Sequence, residues 1–190
     1  SREHHDPGRS ARGRTPRKTR MIHSTATFSP DRVYRYSLTR VWTSESIVEG
    51  VGASTLINPL VVIALNPSTA DETQDDPTIR RCIGFARAWG HLGLTMLNAF
   101  AFRSTDPTGL KTIADPVGPE NDDYLLRLTE GRRVLCAWGA HGAYKDRDRV
   151  VTRLLKGCDL VCFKLTKGYQ PWHPLYVKGD AVPVAFAGRA

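Results

Sequence analysis

Leu60-Val61-Val62-Ile63-Ala64-Leu65 runs directly into Asn66-Pro67-Ser68-Thr69, and the reading of this stretch decides the fold. Apolar side chains at every position leave no face for water, so the run reads as a strand covered on both sides, as in a parallel sheet flanked by helices. The Asn-Pro pair ends it. A residue before proline is driven toward extended backbone, which fixes the direction of the Asn66 side chain where the strand stops.

Working outward, Asp76-Pro77 offers an N-cap acceptor followed by proline at the first helical position, and Ile79, Cys82, Ile83, Ala86 and Trp89 follow at helical spacing as far as Gly90. Leu92 to Asn98 reads as a second buried strand, Val134 to Ala137 as a third and Leu160 to Phe163 as a fourth. Helices are expected from Glu120 to Leu128 and from Ala143 to Leu155. The segment from Ala101 to Pro119 is broken by Pro107, Gly109, Pro116 and Gly118, and a long loop in a compact domain is often functional. Before Leu60, the residues from Arg32 to Trp42 alternate, with Tyr34, Tyr36, Leu38 and Trp42 on one side, which is a half-buried strand. A connection bearing Gly50, Gly52 and Ser54 follows it. The succession predicts a three-layer α/β/α fold with a mostly parallel four-stranded central sheet, right-handed crossovers, and one or two antiparallel N-terminal strands added at an edge.

The chain has 190 residues, of which 41% are hydrophobic and 24% charged, the composition of a globular domain. Its formal charge is +8, yet residues 1–20 carry seven Lys/Arg against Glu3 and Asp6, so five of the eight charges sit in that stretch. This tail lacks apolar periodicity and is expected to be disordered. Met21 stands where it ends, so it reads either as upstream sequence or as a nucleic-acid arm. Residues 21–190 form the single α/β domain, only mildly basic. No apolar run approaches the roughly 20 residues of a membrane span, and no charged-then-apolar leader opens the chain, so a cytoplasmic protein without membrane association is expected. Cys82, Cys136, Cys158 and Cys162 form no Cys-x-x-Cys pair and have no His at ligand spacing, and read as reduced core thiols. No metal is expected.

In open parallel sheets, ligands bind beyond the carboxyl ends of the strands. Those ends carry Asn66-Pro67-Ser68-Thr69, Asn98, Trp138-Gly139-Ala140-His141, and the segment from Lys164 to His173-Pro174. Neither Gly-x-Gly-x-x-Gly nor Gly-x-x-x-x-Gly-Lys-Ser/Thr occurs, which removes the main support for dinucleotide and P-loop chemistry, and no cofactor is expected. Ser68, His173 and Asp106 could make a nucleophile trio, but Gly-x-Ser-x-Gly is missing. What remains is a set of amides and an imidazole. Asn66 can position a water, Asn98 offers the donor and acceptor that reading a base edge requires, and His173 can stabilise negative charge on a leaving group. Both asparagines can equally cap loops. Trp138, His141 or Phe102 could give a stacking wall, and Arg103, Lys164 and Lys167 could contact phosphate at the same pocket. Arg80 and Arg81 read either as phosphate contacts or as a solvated helix face paired with Asp71, Asp75 or Asp76.

Over its body, from about Tyr34 to Phe186, the chain resembles the bacterial and phage family known as domain of unknown function 1643. The resemblance rests on Leu65-Asn66-Pro67-Ser68-Thr69-Ala70-Asp71, Asp76-Pro77-Thr78-Ile79-Arg80-Arg81-Cys82, Asn98-Ala99-Phe100-Ala101-Phe102-Arg103, Asp115-Pro116-Val117-Gly118 and His173-Pro174-Leu175-Tyr176. More remotely, Asn66-Pro67, Asn98, Trp138-Gly139 and His173-Pro174 stand in the order of the strand-end motifs of the uracil-DNA glycosylase superfamily. Leu65 replaces the glycine usual before the first motif. That likeness implies a glycosylase-like fold in which Asn66 positions the attacking water, Asn98 bonds the base and His173 stabilises the departing base. It implies an N-glycosidic hydrolase working without a metal on a nucleotide or nucleic acid, DNA rather than RNA, with Pro67, Ser68, Phe102, Arg103, Trp138, Lys164 and Lys167 around the substrate. A non-catalytic binder of modified nucleotides or nucleic acid is the alternative.

Overall fold

The computed structural model describes residues 20–43 and 58–189. The expected disorder of the tail falls almost wholly on residues 1–19, which lie outside the described residues, as does the 44–57 segment with its Gly50-Gly52-Ser54 connection.

Seven strands among the described residues form one mixed sheet: β1 (Arg20–Phe28), β2 (Arg35–Thr43), β3 (Leu60–Ala64), β4 (Gly93–Asn98), β5 (Arg133–Cys136), β6 (Asp159–Cys162) and β7 (Val184–Ala185), in the order β1-β2-β4-β3-β5-β6-β7. β3 pairs in parallel with β4 and β5, and β5 with β6. β1–β2, β2–β4 and β6–β7 are antiparallel. The second antiparallel edge, β7, was not expected, because two residues are too short to show a period. Among the described residues three α-helices pack on the sheet: α1 (Pro77–Ala88), α2 (Asn121–Thr129) and α3 (Arg147–Leu154).

Side-chain alternation along β3 divides the core. Leu60, Val62 and Ala64 pack with Ile79, Cys82, Ile83 and Phe85 of α1, whereas Val61, Ile63 and Leu65 pack with Leu125 of α2 and Val151 of α3. Burial on both faces is why β3 is apolar throughout. Asp76 caps α1 by accepting the Ile79 N–H at 2.9 Å. The last helix begins later than its periodicity predicts. Ala140–Asp146 winds as a 3-10 segment, and Lys145 and Asp146 take φ of 53° and 52°, in the left-handed region, so the chain breaks before Arg147.

The alternation of β2 is interrupted too. Thr27 pairs with Ser37 and Phe28 with Arg35, which leaves Tyr36 without a partner on β1 as a β-bulge. Tyr36 therefore stacks on Tyr124 of α2 at 5.0 Å, while Leu38 and Trp42 join the α1 side of the core. Arg35 turns to that same side and donates through Nη1 to the Ala70 carbonyl at 2.7 Å. Arg40 is likewise buried. Its Nε pairs with Asp75 at 2.9 Å, and its Nη2 donates to the carbonyls of Asp71 at 2.6 Å and Gln74 at 3.3 Å. Two arginines on a strand that reads as simply alternating thus bind the loop between β3 and α1.

The cysteines are unpaired, and Cys82, Cys136 and Cys162 are buried. Burial pushes the Cys82 thiol up to about 12, so it stays protonated at neutral pH. Among the described residues, no three His, Cys, Asp or Glu side chains come together to hold a metal ion, and no helix is long and apolar enough to cross a membrane.

Arg40→Ala removes one member of a buried ion pair and leaves loop carbonyls without donors, so denaturant unfolding should show a loss of about 3 kcal/mol. Asp75→Ala, at the more exposed partner, should cost less.

Candidate functional site

A cleft of about 450 Å³ opens at the carboxyl ends of β3 and β5. Its wall is built by five loops: Leu65, Asn66 and Ser68 after β3; Asp76, Pro77 and Thr78 at the start of α1; Ser104, Thr105 and Pro107 beyond β4; Trp138 to His141 after β5; and His173, Leu175 and Tyr176. Larger concavities of about 660 and 720 Å³ lie at the opposite rim, around the starts of β3 and β5 and the α2 and α3 termini. The first also holds an amide, an imidazole and a carboxyl group, in Asn58, His91 and Glu130, but there His91 Nδ1 is paired with the Asn58 carbonyl at 2.9 Å and no hydroxyl lines the wall.

Asn66 donates through Nδ2 to the carbonyls of Pro67 at 3.1 Å and Ser104 at 2.9 Å. The Pro67 carbonyl also accepts the Ser104 N–H at 2.8 Å, so the loops after β3 and β4 are tied together beneath the cleft. With its amide nitrogen engaged, Asn66 keeps Oδ1 free of any partner among the described residues. It both clamps a loop and presents an acceptor. The Ser68, Thr78 and Thr105 hydroxyls make no hydrogen bonds with described residues, whereas the Ser104 hydroxyl donates to the Asp106 carbonyl at 2.7 Å.

His173 precedes a 3-10 turn, Pro174–Tyr176, and its Nδ1 accepts the Leu175 N–H at 3.4 Å. A neutral ring so held carries its proton on Nε2. Burial pushes the His173 imidazole below its ordinary value and the Asp76 carboxylate opposes that shift, with the net effect downward. Gly139 lies opposite at φ 71°, where a Cβ would come within 3.5 Å of the His173 Cβ. Its N–H donates to the Pro171 carbonyl at 2.8 Å.

Trp138 is fully buried and forms part of the floor. Its Nε1 donates to Gln170 Oε1 at 2.9 Å, Gln170 Nε2 donates to Asp148 at 2.7 Å, and Asp148 pairs with Arg189 at 2.8 Å. Gly142 is required beside it, since a Cβ there would lie 2.0 Å from the indole Cδ1.

Of the residues singled out in sequence, Asn66, Ser68, Trp138 and His173 line this cleft, together with His141. Pro67 is buried directly behind it. The others lie elsewhere. Asn98 is at the same edge, paired with Ala64, but its side chain is buried with Nδ2 unpartnered, and it does not line the cleft. Phe102 packs edge-to-face on Tyr34. Arg103 donates to the Arg32 carbonyl at 3.2 Å and lies over the Phe28 ring. Lys164 sits 3.4 Å from the centroid of Trp172, and Lys167 is exposed on the following turn. Arg80 donates to the Asp75 carbonyl and Arg81 to that of Val177, so neither reaches the cleft. Asp76 escapes notice in sequence as a cleft residue because its capping role already explains it, Thr78 and Tyr176 because they stand there only as parts of longer segments, and Thr105 because it carries no pattern.

The sequence model of the family described as Protein of unknown function (DUF1643) matches residues 35–175. The chain belongs to that family. The DUF1643 match begins at Arg35 and spans every cleft residue except Tyr176. No curated protein and no solved structure matches the chain.

Two titrations probe this geometry. His173 should titrate below 6.5 in NMR spectra, and Asp76→Asn should lower it further, since the carboxylate that favours the imidazolium is gone. For Asp148, burial raises the carboxyl but the Arg189 and Gln170 hydrogen bonds outweigh it, holding it below its unfolded value of 3.8. A depressed carboxyl adds stability above its unfolded value and loses it as pH falls through the folded one. Asp148→Asn should therefore cost about 2 kcal/mol at pH 7 by urea unfolding, with the gap to the native chain closing below pH 3.8.

Proposed function

We propose that this DUF1643 protein binds a nucleobase and hydrolyses the N-glycosidic bond of a nucleoside unit, free, phosphorylated or in a polymer, with no metal taking part. The observation that carries the reading is the meeting of Asn66 Oδ1 and the His173 imidazole in one cleft, from loops far apart in the chain. An acceptor free of protein partners can hold a water, and an Nε2–H can steady a base as it leaves. In the reaction the water oxygen bonds to C1′ as the C1′–N bond breaks, the bonding pair departs with the base, and the proton released by the water ends on the base. A cleft of about 450 Å³ falls within the range of small-ligand pockets. The order Asn66-Pro67, Asn98, Trp138-Gly139, His173-Pro174, similar to the strand-end motifs of the uracil-DNA glycosylase superfamily, supports the same chemistry and a glycosylase-like three-layer arrangement. Asn98 takes no part in this assignment, because its amide does not line the cleft.

Mass spectrometry of released bases across nucleosides, nucleotides and single- and double-stranded oligonucleotides should find at least one substrate. Asn66→Ala should then lower turnover by about 100-fold, the scale of a positioned proton-transfer or water-holding group, with ligand affinity nearly unchanged. If no panel member loses a base while one still binds, the protein is a non-catalytic binder.

A further inference from the structure

Resting on the nucleoside reading above, we infer that Asp76 is a specificity-determining residue, and that the cleft takes an uncharged nucleoside and rejects the same nucleoside carrying a 5′-phosphate. Among the described residues the cleft is lined by no Lys or Arg, and Asp76 is the single acidic one in its wall. The cations that sequence suggested for phosphate lie outside its wall: Arg80 and Arg81 donate to the Asp75 and Val177 carbonyls, and Arg103, Lys164 and Lys167 are turned to Phe28, Trp172 and solvent. A helix start facing a pocket is ordinarily where an anion binds, through free N–H groups and the helix dipole. Here that start offers little: the Asp76 carboxylate caps the Ile79 N–H and Pro77 has no N–H, which leaves the Thr78 N–H alone without a partner among the described residues. A phosphate brought into the cleft would meet a negative charge with no side-chain cation on the wall, and like charges at contact distance repel most strongly where water is thin.

The nearest buried cation does not reverse this. Arg35 stays charged, since burial lowers it only to about 10, but it lies behind the loop, bonded to the Ala70 carbonyl, with no ion pair to Asp76 and no place in the cleft wall. Arg40 is committed to Asp75 and the loop carbonyls. What the wall does offer a ligand is hydroxyl chemistry. Ser68, Thr78 and Thr105 have hydroxyls without partners among the described residues, which suit the hydroxyl groups of a sugar.

The test is calorimetric binding of the common 2′-deoxynucleosides and their 5′-monophosphates to the full chain and to Asp76→Asn. Asparagine caps a helix as well as aspartate does, so the variant keeps α1 and loses only the charge. A melting curve checks that it is folded. At least one nucleoside should bind, with its monophosphate at least tenfold weaker, and Asp76→Asn should close most of that gap. In the unmodified chain the gap should also narrow as salt rises, which needs no variant. Equal or tighter binding of the monophosphate, a gap that Asp76→Asn leaves intact, or no binding of any nucleoside overturns the inference. Base release without a phosphate penalty keeps the proposed hydrolase and removes this inference; a phosphate penalty without base release does the reverse.

Discussion

The structure depends on how β2 restrains the loop between β3 and α1. That loop must leave a buried strand, cross the end of the sheet and enter a helix, and its carbonyl groups need donors wherever water is excluded. Arg35 and Arg40 supply them at Ala70, Asp71 and Gln74. Outside the core, the bidentate pair of Arg32 with Glu72 and the Ser24 hydroxyl on the Glu72 carbonyl extend the same attachment to β1. Ser68 and Asp76 stand at the two ends of the restrained segment. Their positions in the cleft are therefore set by residues of β2, an antiparallel strand that lines no part of it.

A second restraint reaches the cleft from the opposite side. The line from Trp138 through Gln170 and Asp148 to Arg189 joins the end of β5, the loop before His173, the start of α3 and the last described residue. Phe186 adds an edge-to-face contact with the Trp138 ring. A buried carboxylate is tolerable there because an arginine and an amide both donate to it. The His173 loop is thus held by a network whose members come from across the second half of the chain.

The parts legible in sequence were those in which one local constraint decides the outcome. β3, β4, β5 and β6 declare themselves because burial on two faces demands unbroken apolar runs, and α1 because Asp76-Pro77 has a single strong reading. Asn66, Ser68, Trp138 and His173 followed from the convergence of parallel strand ends, which needs no side-chain detail. Residues whose direction is set by tertiary packing were not legible. Arg103 leaves the rim because Phe28 and the Arg32 carbonyl attract it to the β1 side. Asn98 has the right depth in the sheet, but its side chain is buried there. Asp76 was read as a cap, and a cap can also face a ligand; sequence shows the first role and only the fold shows the second.

The bulge at Tyr36 bears on how this strand can change. Either side of it, β2 keeps to a two-residue rhythm, but the two halves are out of phase, and the slip is what lets Tyr36 meet Tyr124 while Arg35 reaches Ala70. Paired without the slip, the same residues would send the guanidinium to the α2 face, among tyrosines and without a carbonyl to bind. The unpaired residue at Tyr36 thereby fixes which way Arg35 points, and through it how the loop after β3 is held.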